Sequence, residues 1–179
     1  QKWCSKLPSN ASAFGSGDGF YCKTGYKKSG LECIAKINSE DRYKKAKLAF
    51  ENKDYQTALR EFTVLAISGN EKAQTYLGYM YSNAEGVAKD LKQAVSWYRK
   101  AANQGYSAAQ NNLGYMYEEG RGVTKDYKLA VSWYRKAANQ GNSRGQTNLG
   151  YMYDYGYGVT QDYKLAVSWY RKAANQGYA

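Results

Sequence analysis

Apolar and polar positions sort the chain into helices from Ser39 onward. In the stretch from Tyr127 to Gln140, the residues Ala130, Trp133, Tyr134, Ala137 and Ala138 stand at i, i+3, i+4, i+7 and i+8, one stripe on a helix of 3.6 residues per turn. Asp126 occupies the place of an N-cap, and Gly141 stands just past the last turn, where a left-handed residue ends a helix. The preceding helix carries Ala109, Leu113, Met116 and Tyr117 on one side. Gly114, in its middle, weakens a helix by roughly 1 kcal/mol against Ala, which predicts that another backbone crosses closely there. In this phase helices are predicted at Glu40 to Glu51, Tyr55 to Ser68, Glu71 to Ser82, Leu91 to Gln104, Ser107 to Glu118, Tyr127 to Gln140, Ser143 to Tyr153 and Tyr163 to Gln176.

The pattern repeats. Val95 to Gly105 recurs letter for letter at Val131 to Gly141 and Val167 to Gly177, each copy 36 residues after the last, and Leu-Gly-Tyr-Met-Tyr recurs in phase at Leu77, Leu113 and Leu149. A period of this size marks a unit too small to bury its own apolar face, which therefore stacks on copies of itself. The unit before these is shorter in its turn: Ala46 to Ala58 spans 12 residues where Gly114 to Ala130 spans 16, and Phe62 stands in the place of Tyr134.

Composition changes this picture in two ways. Leu, Ile, Val and Phe supply only 25 of 179 residues and the net charge is +11, a balance usual in disordered chains. The 20 Tyr and 4 Trp provide the missing apolar area, since each aromatic ring covers 150–250 Å². No apolar run reaches the roughly 18 residues of a membrane span, so a chain that does not cross a membrane is expected. With no His, a common class of catalysis and most zinc sites lose their usual residue. The few cysteines lie beside no evident base, and no enzyme activity, cofactor or metal is expected.

Residues 1–38 differ from the rest, holding Cys4, Cys22, Cys33, the single Pro and a cluster of glycines. This small irregular or short-strand segment precedes a solenoid domain over residues 39–179. A piece so short rarely holds a core without cross-links. Three cysteines allow three single pairings; Cys22 with Cys33 is favoured as a disulfide closing a turn, with Cys4 free or paired outside the chain, and the competing readings are the other two pairings or three reduced thiols. The disulfide reading implies an oxidising compartment, hence an exported, periplasmic or secreted protein. A first residue of Gln1 suggests a processed or trimmed terminus.

The motif Leu113-Gly114-x-Met116-Tyr117, then Gly120-x-Gly122-Val123-x-x-Asp126, then Ala130-x-x-Trp133-Tyr134-x-x-Ala137-Ala138-x-x-Gly141 resembles the Sel1-like repeat, a relative of the tetratricopeptide repeat. The match runs in phase from Gly69 to Gly177, and the unit before it resembles an ordinary tetratricopeptide unit. The resemblance implies an all-α, right-handed superhelical solenoid of four antiparallel helix pairs that binds other proteins and has no catalytic residues. It allows two uses in an envelope: an adaptor or inhibitor, or an immunity protein neutralising a toxin or phospholipase effector. The stretch from Pro8 through Cys33 is similar to a short motif of exported bacterial proteins.

Differences between copies point to the binding residues. Tyr79, Tyr115 and Tyr151 each follow the helix glycine and so turn about 100° away from the leucine side, predicting a tyrosine ladder on the concave surface or, alternatively, rings packed on the neighbouring first helix. Around them vary Lys72, Ala108 and Arg144, then Thr75, Asn111 and Thr147, and in the turns Ser82, Glu118 and Asp154 with Arg121, Tyr155 and Tyr157. The basic pairs Arg99-Lys100, Arg135-Lys136 and Arg171-Lys172 read as a solvated outer face or as a strip for an acidic protein. Nucleic acid is not expected, because no reading motif is present; tandem aromatics leave glycan binding as an alternative. After Gln176 the phase of a further first helix begins without one following, so either the chain is trimmed there or, if that end is natural, the open last pair is expected to be a docking or self-association surface.

Overall fold

The computed structural model describes residues 39–177 with their side chains, together with the backbone of residues 14–15, 20–21, 26–29 and 32–35. The chain divides into two compact units, Gln1–Lys45 and Ala46–Ala179.

In the first unit, β1 (Phe14–Gly15) pairs antiparallel with β2 (Phe20–Tyr21), and β3 (Tyr26–Ser29) with β4 (Glu32–Ala35), with Lys28 opposite Cys33. Cys4 and Cys22 lie outside the described residues, as does the Cys33 side chain, and the expected disulfide with them.

The helices are α1 (Ser39–Glu51), α2 (Tyr55–Ile67), α3 (Glu71–Asn83), α4 (Leu91–Asn103), α5 (Ser107–Glu119), α6 (Tyr127–Asn139), α7 (Ser143–Tyr155) and α8 (Tyr163–Ala174). Predicted ends fall within two residues of these, because local chemistry sets them. Asp54, Asp90, Asp126 and Asp162 each accept a hydrogen bond from the backbone N–H three residues on, as do Asn70 and Asn142. These bonds satisfy donors that the first helical turn cannot. The short turn of the earliest helix pair is closed by Lys53 at φ +62°.

From α2 onward each helix packs on the next, and α5 also meets α7, so the fold is a helical solenoid. Its core lies between units as much as within them. Ala94, Val95, Tyr98, Ala101 and Ala102 of α4 cluster with Ala109, Leu113 and Met116 of α5, and Trp133 of α6 packs against this cluster from the following unit. Trp169 does the same against the cluster of Ala130, Val131, Tyr134 and Met152. Trp97, Trp133 and Trp169 are half-buried rather than fully buried. Trp133 and Trp169 each pack on a cluster shared with the unit before them, and in Trp97, Trp133 and Trp169 alike the lysine three residues on lies over the ring at about 4 Å.

Two glycines explain how closely the helices and turns nest. A Cβ on Gly114 would stand 2.7 Å from the Tyr134 ring, so the mid-helix glycine makes room for a neighbour's side chain and not, as its position first suggests, for a crossing backbone. The close backbone approach is one turn later. A Cβ on Gly122, at φ +71°, would run into the Leu91 carbonyl of the preceding unit.

A buried polar ladder, which the sequence pattern does not announce, joins the units. Gln104 Nε2 donates to Gln74 Oε1 at 2.7 Å, Gln140 to Gln110 at 2.7 Å and Gln176 to Gln146 at 2.8 Å. Gln74, Gln110 and Gln146 in turn donate to the carbonyls of Ala66, Ala102 and Ala138 in the preceding second helix. Each buried amide is thereby paired, as burial of a polar group requires.

Candidate functional site

Tyr79, Tyr115 and Tyr151 sit at one repeat position on α3, α5 and α7 and remain 42%, 42% and 37% exposed. Among the described residues no side chain or backbone group hydrogen-bonds their hydroxyls. Their repeat neighbours differ in this respect. The Tyr117 and Tyr153 hydroxyls accept from Arg99 and Arg135 at 3.0 and 2.9 Å, and Tyr134 and Tyr170 donate to Glu118 and Asp154. The ladder rings are not isolated: Tyr79 meets Phe50 edge-on at 5.9 Å, Arg121 lies 5.6 Å over Tyr115, and Tyr151 lies against Tyr155 at 4.6 Å and Tyr157 at 5.9 Å. Tyr155 and Tyr157 stack nearly parallel, and Tyr157 stacks in turn on Tyr127.

At one end of the row a cleft of about 170 Å³ opens among Phe50, Lys72, Thr75, Tyr76, Tyr79, Tyr106 and Asn112. Tyr76, one of the residues lining it, stacks on Phe62 at 4.5 Å. Lys72 and, two units on, Arg144 are exposed at the equivalent position near the N-terminal ends of α3 and α7.

Several residues that the sequence groups with this face have other work. Asn111 is buried and accepts from Asn148 Nδ2 at 2.9 Å, joining α5 to α7. Thr75 and Thr147 donate to the carbonyls of Glu71 and Ser143 in their own helices. Ser82 is buried and accepts from Arg121 Nη2 at 3.3 Å, so the two bridge successive turns. Glu118 is half-buried beneath Tyr134. Burial raises its carboxyl above the ordinary carboxylate range, the Tyr134 hydrogen bond pulls it back, and the Glu119 charge raises it again. Tyr134 is held far above the usual phenol range by burial first and by Glu118 second. Asp154, half-buried, receives the weaker contact from Tyr170 at 3.5 Å.

The basic pairs also belong partly to the architecture. Arg99 and Arg135 clamp the next unit through Tyr117 and Tyr153, while Lys100, Lys136 and Lys172 lie over tryptophan rings. No grouping of carboxylates or thiols suited to a metal occurs among the described residues. No described helix is long and apolar enough to cross a membrane.

Comparison with known proteins agrees with this geometry. The Sel1 repeat family matches residues 71–106, 107–142 and 143–178. A protective antigen of uropathogenic Escherichia coli with an SLR fold is similar over 78% of this chain and 31% of its own, at 43% identity and a TM-score of 0.74. A Sel1 repeat protein of Oxalobacter formigenes is similar over 75% of this chain and 56% of its own, at 38% identity and a TM-score of 0.72. Cysteine-rich protein B of Helicobacter pylori aligns over 69% of this chain and 89% of its own, at 25% identity and a TM-score of 0.56. The chain thus spans less than two thirds of the first two structures. No curated protein sequence matches it. Sel1 repeats are generally non-catalytic scaffolds for protein interaction, and with three of them in phase on a helical solenoid, this chain belongs to the Sel1 repeat family.

Proposed function

We propose that the chain is a non-catalytic adaptor or inhibitor of the bacterial envelope that binds an acidic protein partner across its first-helix face. The observation that carries this reading is the row Tyr79, Tyr115 and Tyr151: rings left exposed at one repeat position, with hydroxyls unengaged by any described residue. Tyrosine suits recognition because a large ring with a polar tip is ordered at little entropic cost. The core positions repeat unchanged while Lys72, Ala108 and Arg144 diverge beside the row, giving each rung different neighbours. A net charge of +11 favours an acidic partner by steering encounter.

A random-peptide display library panned on the immobilised chain tests this. The selected peptides should lose about 2 kcal/mol or more of affinity, roughly thirty-fold, on Tyr115→Ala, while melting shifts by no more than a degree or two. Charge reversal at Lys136 should alter mainly the salt dependence and association rate. If instead Lys136 reversal abolishes binding and Tyr115→Ala only lowers the melting temperature, the site belongs on the second helices.

A further inference from the structure

We infer that Glu85, set between Tyr55 and Tyr79 in the turn after α3, receives an arginine side chain of the partner, the guanidinium paired with the carboxylate and laid on the Tyr79 ring. This rests on the first-helix face being the binding surface.

Three turns share one geometry. Glu85, Arg121 and Tyr157 follow one another at 36 residues, each two positions past the end of α3, α5 or α7. The residue before each is left-handed, at φ +61°, +67° and +70°. The N–H groups of Glu85, Arg121 and Tyr157 donate to the carbonyls of Met80, Met116 and Met152 at 3.0, 2.9 and 3.0 Å. The three side chains therefore leave the backbone in the same direction. Arg121 lies over Tyr115 at 5.6 Å. Tyr157 lies against Tyr151 at 5.9 Å and stacks at 4.9 Å on Tyr127, the first residue of the preceding second helix. Beside Glu85 the equivalents of Tyr151 and Tyr127 are Tyr79 and Tyr55. The turn is seated there: a Cβ on Gly86 would stand 2.5 Å from the Tyr55 Cβ, and Phe50 meets Tyr55 at 5.6 Å and Tyr79 at 5.9 Å, edge-on to both.

The chemistry at this position differs in each unit and leaves one unmatched. Arg121 puts a cation on its tyrosine, and Tyr157 puts a ring there. Glu85 brings a carboxylate whose Oε2 is buried without a hydrogen-bond partner, and no described residue forms an ion pair with it. Burial, with no opposing charge to offset it, raises the Glu85 carboxyl above its ordinary value. A buried carboxylate oxygen without a donor costs stability, and a tyrosine ring attracts a cation to its face. One group satisfies both. A guanidinium pairs with a carboxylate along its edge and lies flat on a ring, whereas an ammonium has no plane to stack and holds its water more strongly. Arg121 over Tyr115 shows the ladder tyrosine taking a guanidinium at this repeat position. Glu85 is half-buried and Tyr79 is 42% exposed, so a side chain arriving from solvent reaches both. Net charge steers an acidic partner toward the chain, and one arginine within that partner fixes its register.

The test is a titration, followed by amide chemical shifts, with N-acetyl-arginine amide, N-acetyl-lysine amide and the uncharged isostere N-acetyl-citrulline amide. The arginine probe should move the amides of Tyr79, Glu85 and Gly86, and should bind about ten-fold tighter than the citrulline probe and tighter than the lysine probe. Glu85→Gln, which keeps the shape and removes the charge, should erase that preference without lowering the melting temperature. Tyr79→Phe should retain it and Tyr79→Ala lose it. Glu85→Arg should lay the chain's own guanidinium on Tyr79, as Arg121 lies on Tyr115, and block the probe. Peptides selected by display should carry an arginine and lose affinity about ten-fold on Glu85→Gln. Arginine binding no better than citrulline, or moving residues elsewhere, overturns the inference, and so does equal binding by the lysine probe. Selected peptides that require Tyr115 but bind Glu85→Gln unchanged would remove this inference and leave the protein-binding role standing. Peptides indifferent to every ladder tyrosine would remove both.

Discussion

The helices α6 and α8 carry one sequence: Asp126 through Gly141 and Asp162 through Gly177 are identical letter for letter. Both form helices with the same aspartate cap. Their burial differs. Val131 is 3% exposed and Val167 is 47%; Tyr134 is fully buried and Tyr170 only partly so; Ala138 is buried and Ala174 exposed. The hydroxyl of Tyr134 is tightly bonded to Glu118, while that of Tyr170 reaches Asp154 at 3.5 Å. What changes is the neighbour: α6 has α7 packed against its far side, and α8 has no described helix there. In a linear stack a residue's energy includes the interfaces with the adjoining units as well as its own unit's packing.

The sharpest way to break that comparison is to truncate the paired tyrosines. Tyr134→Ala should cost about 3–5 kcal/mol in chemical denaturation followed by circular dichroism, as large buried aromatics do. Tyr170→Ala should cost less than half as much. Equal shifts would mean that the stack unfolds as one block with no gradient from neighbour to neighbour. The tryptophans are a poor choice for this test. Trp133 and Trp169 each pack on an equivalent cluster shared between their own unit and the preceding one, so removing either should have a similar effect.

A smaller effect carries a change of sign. In an open helix Gly→Ala gains roughly 1 kcal/mol. At Gly114 the added methyl meets the immobile Tyr134 ring at 2.7 Å, and the variant should instead lose about 1–3 kcal/mol through overpacking. At Gly150 the Tyr170 ring stands at 2.8 Å and the Ala166 carbonyl at 3.2 Å, but the ring, the tighter of the two, is only partly buried and can shift toward solvent. Gly150→Ala should be nearer neutral, and a loss equal to that of Gly114→Ala would show that Tyr170 is as fixed as Tyr134.

The smallest effect concerns Glu118, whose carboxyl is raised by burial. A carboxyl raised in the folded state binds its proton more tightly there than in the unfolded chain. Its contribution to stability is therefore greatest below the unfolded value and declines as pH rises through the folded one. Glu118→Gln removes the titration and leaves an amide oxygen for Tyr134. Relative to the parent, the variant should melt higher at pH 7 than at pH 4. A constant difference across that range would show that Glu118 is as well solvated folded as unfolded.

Much of the candidate site was legible before folding, for definite reasons. The ladder tyrosines follow from phase, because one step past the leucine side on a helix leads outward, and Tyr79, Tyr115 and Tyr151 are exposed accordingly. Asn111, Ser82 and Glu118 vary between copies just as surface residues do, yet they are turned inward to Asn148, Arg121 and Tyr134. Variation alone cannot separate a binding residue from one matched to a changed neighbour. Arg121 beside Ser82 gives the only hint in the sequence: both change together between units, and they lie 39 residues apart, close to one period.

The sequence by itself determined the helices, their ends and their order, because a capping aspartate, a terminal glycine and an apolar stripe act within a few residues of one another. It also determined stacking, since no single unit can bury its own stripe. Only the tertiary structure decided which of two identical tyrosines is core, that Gly114 answers to a ring and Gly122 to a backbone, and that the arginines clamp the next unit. Each of these depends on contact between residues some 16 to 40 positions apart, and the repeat spacing says only that such neighbours meet, not which of their atoms do.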